Sequence, residues 1–122
     1  MTFPVSAALL DALVLAVVSR DDTYGYRITQ DIRTAVDISE STLYPVLRRL
    51  QKEENLETYD REFQGRNRRY YRVTSKGRAA LELYREEWTL HRNKIEDIIL
   101  SRDNAPPPQN NTILSQQGEE IK

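Results

Sequence analysis

Two clusters of side chains in this chain have the chemistry to hold a polyanion. The first is Ser41-Thr42-Leu43-Tyr44-Pro45-Val46-Leu47-Arg48-Arg49-Leu50-Gln51-Lys52, with hydroxyls at its start and cations toward its end. Leu43, Val46, Leu47 and Leu50 recur at steps of three and four, the period of one buried helix face. Ser41, Tyr44, Pro45, Arg48 and Lys52 then fall on the opposite face, with Thr42 and Arg49 on its flanks. A DNA major groove admits one α-helix, and hydroxyl, aromatic and Arg or Lys side chains bond phosphates and base edges. The same pattern also fits an ordinary amphipathic helix with a solvated basic face. The second cluster moves the balance. Arg61, Arg66, Arg68, Arg69, Arg72, Lys76 and Arg78 lie close together in sequence, opposed only by Glu62.

These are groups for binding rather than for making or breaking bonds. With no cysteine, disulfides, thiolate chemistry and Cys-based zinc sites are excluded. His91 is the single histidine and has no second His or Cys to complete a metal site. No serine, histidine or aspartate stands in a nucleophile elbow or other recognisable catalytic setting. Gly25, Gly65, Gly77 and Gly118 stand apart, so no glycine loop cradles a phosphate. We expect no enzyme activity, no metal and no cofactor. The net charge of −1 argues against nucleic acid if read globally. Screening confines each charge to roughly 8–10 Å, however, so local distribution matters more. The apolar run from Val5 to Val18 is broken by Asp11 and is too short to span a bilayer, and Met1-Thr2-Phe3-Pro4 lacks the basic lead-in of a secretory signal. A cytoplasmic protein with no membrane partner is expected.

The remaining segments must position those clusters. A first helix, Ser6 to about Ser19, is apolar nearly all round and is read as a central packing helix or part of a subunit contact, to which Leu9 and Leu13 are assigned. A second helix, Tyr24 to about Val36, has Ile28, Ile32, Ala35 and Val36 as its core stripe. Gly25 in its first turn implies close backbone approach by a neighbour, and flanking Tyr24 and Tyr26 read as structural. The basic helix follows after a short connection, with Ser39 or Ser41 as N-cap. Pro45 requires either a late start or a kink there. Leu56–Phe63 and Arg68–Thr74 read as two strands joined by a turn over Gln64–Asn67, with Gly65 and Asn67 supplying positive φ. Thr74 or Ser75 caps a last helix running to about Leu100. Its Leu81, Tyr84, Trp88, His91, Ile95 and Ile98 alternate steps of three and four like a coiled-coil seam. A small domain cannot cover so long a helix, so the seam is expected to meet a second copy in a twofold dimer. From Arg102 onward the composition predicts a disordered tail.

In order, these are a helix, a helix-turn-helix, a basic hairpin and a long final helix: a mainly α fold with a β-hairpin. At this point the chain closely resembles the PadR family of transcriptional regulators. The resemblance rests on Tyr24-Gly25-Tyr26, Thr42-Leu43-Tyr44-Pro45-Val46-Leu47-Arg48-Arg49-Leu50, Gly65-Arg66, Arg69-Tyr70-Tyr71-Arg72-Val73-Thr74 and Gly77-Arg78-Ala79-Ala80-Leu81. It covers roughly residues 8 to 100 and is similar to the subgroup with one dimerising helix. One departure is Asn55-Leu56-Glu57, where the family often has Gly-Leu-Ile. The resemblance implies a winged-helix DNA-binding domain over 1–74, a dimerisation helix over 75–101 and the tail over 102–122. It implies a homodimeric regulator, usually a repressor, on a palindromic site in double-stranded DNA. Thr42, Tyr44 and Arg48 are the groove-facing candidates, Ser41, Arg49 and Lys52 lie beside them, and Arg66, Arg68 and Arg69 are the wing candidates. Trp88 has two readings: packing in the dimer core, or stacking on a planar small-molecule effector, as in similar small PadR-like repressors. The competing reading of the whole is a winged-helix dimer that binds protein or RNA without reading DNA sequence.

Overall fold

A computed structural model describes residues 4–101; the expected tail lies outside the described residues. The elements are α1 (Ala7–Arg20), β1 (Thr23–Tyr24), α2 (Gly25–Ile32), α3 (Glu40–Lys52), β2 (Leu56–Phe63), β3 (Arg66–Val73) and α4 (Ser75–Ile99). Two compact units divide within α4, after Arg85.

The first unit is organised by the apolar periodicity. Val14, Leu15 and Val18 of α1, Ile28 and Ile32 of α2, and Leu43, Leu47 and Leu50 of α3 close one core with Leu56, Tyr71, Val73 and Leu81. Ser6 caps α1, its Oγ accepting from Leu9 N at 3.1 Å, and Ser39 caps α3 by accepting from Thr42 N at 3.3 Å. Pro45 does not delay α3. It is the sixth helical residue, and its missing N–H forgoes only the bond to the carbonyl of exposed Ser41.

The sheet has three antiparallel strands in the order β1-β3-β2. The short β1 is absent from the sequence reading, since two residues carry no periodicity. It pairs Thr23 with Tyr71 and Tyr24 with Tyr70, so the hairpin is anchored on one side. Two boundaries are also corrected. α2 stops at Ile32 and gives way to tight turns, which leaves Ala35 exposed rather than in the core. The β2–β3 turn is Gln64–Gly65, with φ of 53° and 79°, and Asn67 is already in the ladder opposite Glu62. Positive φ at both central residues is the hairpin turn whose twist matches the strands.

The end of α3 is closed by a local device. Asn55 N donates to Leu50 O at 2.8 Å and Glu54 N to Gln51 O at 2.9 Å, the paired bonds of a Schellman motif. Glu54 takes the left-handed position, φ 66°, one residue before the Asn55 that stands where the family often has glycine. Of the two cap candidates, Thr74 and Ser75, it is Thr74 that caps α4, its Oγ1 accepting from Gly77 N at 3.0 Å.

In the second unit α4 continues as regular helix to Ile99. Trp88, Leu90, Ile95, Ile98 and Ile99 are all exposed.

Candidate nucleic-acid interface

The side of α3 opposite its buried leucines presents Ser41, Thr42, Tyr44, Arg48 and Lys52, all exposed. At its start the hydroxyls are interlinked: Ser39 Oγ lies 2.9 Å from Ser41 Oγ and 3.2 Å from Thr42 Oγ1. Each hydroxyl keeps spare hydrogen-bonding capacity toward a phosphate or base.

Tyr44 is held more firmly than its place in the pattern implies. A Cβ on Gly25 would lie 2.8 Å from Tyr44 Cε1 and 2.9 Å from its Oη. The ring therefore packs on the first turn of α2, and Tyr44 is the neighbour for which Gly25 leaves room. Burial raises its phenol pKa, and the charge and hydrogen bonding of Glu40 raise it further. A phenol kept neutral beside a carboxylate remains a donor.

α3 meets the hairpin where Gln51 Nε2 donates to Thr58 Oγ1 of β2 at 3.4 Å, and Tyr71 is the partner of Thr58 across the ladder. Burial raises the pKa of this phenol, and the Arg69 and Arg48 cations oppose that rise. Arg48 belongs to α3 and Arg69 to β3, so two elements bring positive charge to one side chain. Arg69 shares the strand face of Tyr71 and lies opposite Asp60 in the register; Arg66 is exposed at the turn.

Two sequence candidates are otherwise engaged. Arg49 is not a free groove side chain, because Nη2 pairs with Asp11 and Nη1 with Glu53 at 3.4 Å. Arg68 is half-buried, its guanidinium 4.0 Å from the Tyr24 ring centre and 3.8 Å from that of Phe63. Those contacts belong to a layer on the outer sheet face. Tyr70 stacks on Tyr59 at 5.7 Å and meets Tyr24 edge-on at the same distance. Arg61 covers Tyr70 and Arg72 covers Tyr59. Asp22 closes the layer, accepting from Tyr59 Oη at 2.8 Å and Arg72 Nε at 3.3 Å. Sequence reasoning named Tyr24 as structural but missed the layer it joins, in which Tyr24 meets Tyr70 and Arg68 while Asp22 holds Tyr59 and Arg72. Only strand register brings them together. Tyr26, read with Tyr24, is instead exposed.

The expected dimer seam is divided. Leu81 is only 4% exposed, inside the core of its own unit, and is thereby removed from the seam. Leu13 and Tyr84 pack partly on that core, and Leu9 is half-buried. In the second unit Trp88, His91, Ile95 and Ile98 are exposed, with the Trp88 and His91 rings 6.4 Å apart. Among the described residues no three His, Asp or Glu side chains gather to hold a metal, and no helix is long and apolar enough to cross a membrane.

The comparisons with known proteins agree with this geometry. The model of the transcriptional regulator PadR-like family matches residues 14–83. The crystal structure of smu.1704 from Streptococcus mutans UA159 is 44% identical, with a TM-score of 0.77, covering 86% of this chain and 99% of that one. A PadR family transcription regulator from Clostridium difficile R20291 is 27% identical, with a TM-score of 0.67 over 75% of this chain and 98% of its own. The transcriptional regulator Rv3488 of Mycobacterium tuberculosis is 42% identical over 62 residues, 50% of this chain and 58% of that protein. With a matching family model, a helix-turn-helix and a basic wing in one unit, the chain belongs to the PadR-like family of transcriptional regulators and has their winged-helix DNA-binding fold.

Proposed function

We propose that the protein is a cytoplasmic repressor that binds a palindromic operator as a homodimer. α3 enters the major groove and the hairpin lies along the adjacent backbone. The observation that carries this reading is the exposed polar side of α3, Ser41, Thr42, Tyr44, Arg48 and Lys52, on a helix tied by Gln51 to Thr58 of the cationic hairpin at 3.4 Å. One duplex can meet the exposed side of α3 and the cationic hairpin together. Ser41, Thr42, Arg48 and Lys52 are the base- and phosphate-contacting groups of α3. Tyr44 presents its hydroxyl from a ring seated on α2, and Arg66 and Arg69 contact backbone. The exposed apolar residues of α4, Trp88, Ile95 and Ile98 with His91 among them, support pairing of two copies.

Selection of bound duplexes from a random pool, with mass measurement of the complex, tests this. The expected product is a palindrome whose half-sites lie one helical turn apart, about 34 Å, bound by two protomers. No enriched sequence, or equal binding to every duplex, would instead favour a protein- or RNA-binding module. On the selected duplex, Arg48→Ala is expected to cost about 1–3 kcal/mol of discrimination at one position per half-site. Arg66→Ala and Arg69→Ala should weaken all duplexes alike, each lowering the salt slope by about one counterion per protomer.

Trp88, the only tryptophan, is assigned to a planar effector as well as to packing. Its fluorescence during titration with planar cationic and phenolic compounds tests the effector role. No saturable change leaves Trp88 a packing residue.

A further inference from the structure

Asp11 is a carboxylate among apolar neighbours. It lies between Leu10 and Val14 on α1 and is 7% exposed. A buried carboxylate is costly unless it is paired and hydrogen-bonded, and Asp11 is satisfied from two other helices. Arg49 of α3 donates from Nη2 to Oδ1. Tyr84 of α4 donates from Oη to Oδ2 at 3.3 Å. The other amine of Arg49 meets Glu53, so the guanidinium is held at both ends. An independent set of bonds joins the end of α3 to the start of α4: Lys76 Nζ donates to Glu53 O at 2.8 Å and Thr74 Oγ1 to Glu54 O at 2.7 Å.

Stability does not account for such a pair. Asp11 is the buried partner and Arg49 keeps 40% of its side chain exposed; replacing both partners of a buried ion pair by apolar side chains is often neutral or stabilising. What a charge-assisted hydrogen bond adds is direction: apolar surfaces slide over one another, whereas a carboxylate bridging two donors fixes where each comes from. We propose that Asp11 is a positioning residue for DNA recognition: with Arg49 and Tyr84 it sets α3 against α1 and α4, and neither Asp11 nor Arg49 touches DNA. The proposal rests on the reading of α3 as the DNA-contacting helix, and removes Arg49 from the contacts that the sequence suggests.

The test is the double variant Asp11→Leu/Arg49→Leu, which leaves net charge unchanged and so preserves long-range attraction to DNA. Binding is measured across a salt series on the duplex selected by the wild-type protein. The melting temperature should match or exceed wild type. Affinity for the selected duplex should fall at least tenfold with an unchanged salt slope. Unchanged affinity would make the pair merely structural and overturn the proposal. A slope lowered by about one counterion per protomer would make Arg49 a phosphate ligand, and would overturn it equally. Tyr84→Phe keeps the ring and removes one bond, and should lower affinity about threefold with the slope unchanged; unchanged binding counts against the proposal. If the double variant does not fold, Tyr84→Phe and Arg49→Gln decide by affinity and salt slope alone. A wild-type protein that enriches no duplex would instead defeat the DNA-binding reading itself.

Discussion

Two glycines in this fold are required by different kinds of neighbour. At Gly25 an added Cβ would meet the end of the Tyr44 side chain, which can swing away. At Gly77 it would lie 2.1 Å from the backbone oxygen of Asn55 and 2.8 Å from Val73 Cγ2, and the oxygen cannot yield without moving the backbone that closes α3. We expect Gly77→Ala to cost about 3 kcal/mol and Gly25→Ala about 1 kcal/mol, both read from chemical denaturation. Equal losses would mean that the Tyr44 ring is fixed as rigidly as backbone. At this scale the sequence shows half of each relation. The place of Gly25 in a helix turn implies close approach, but its partner stands on the next helix. Asp11 is visible as a break in an apolar run, while Arg49, 38 residues away, reads as one more cation on a basic face. Periodicity assigns faces; it cannot say which polar groups meet between them.

Elements with a long period were legible. The reading of α1, α3 and α4 agrees with the structure to within a residue or two at each end, because buried leucines and hydroxyl caps mark them. The helix-turn-helix and the hairpin were legible for the same reason. β1 and the end of α2 were not: their conformation is set by hydrogen bonds to β3 and by local turns, not by apolar spacing. The hairpin also shows why charge density overstates a site. Arg68 belongs to a run of arginines, yet it lies against Tyr24 and Phe63 and stiffens the hairpin. Arg68→Ala should lower stability by about 1–2 kcal/mol through two cation–π contacts while leaving the salt slope of DNA binding unchanged. A slope that falls as it does for Arg66→Ala would return Arg68 to the backbone contacts.

On the proposed reading, the molecule divides its work between two units. The first closes its own core, which takes in Leu81 of α4. The second presents Trp88 at 43%, Ile95 at 40% and Ile98 at 76% exposure. This uncovered apolar series is the surface that the proposed pairing uses. Ile95→Arg/Ile98→Arg is expected to give a monomer in sedimentation and to weaken operator binding by about 10²-fold or more, as linked half-sites become independent. A dimer of unchanged mass would place the contact elsewhere.

The anchors of α3 lie off its exposed side, except for the Tyr44 ring. Asp11 grips it from α1, Lys76 and Thr74 secure its end, and Gly25 seats the Tyr44 ring. Among the described residues Arg48 and Lys52 form no ion pair with this framework. On the proposed reading, exchanging those two, with Ser41 or Thr42, changes what is recognised without disturbing the interior. A lineage carrying this scaffold can therefore acquire new target sites through a few surface substitutions that need no compensating change beneath them.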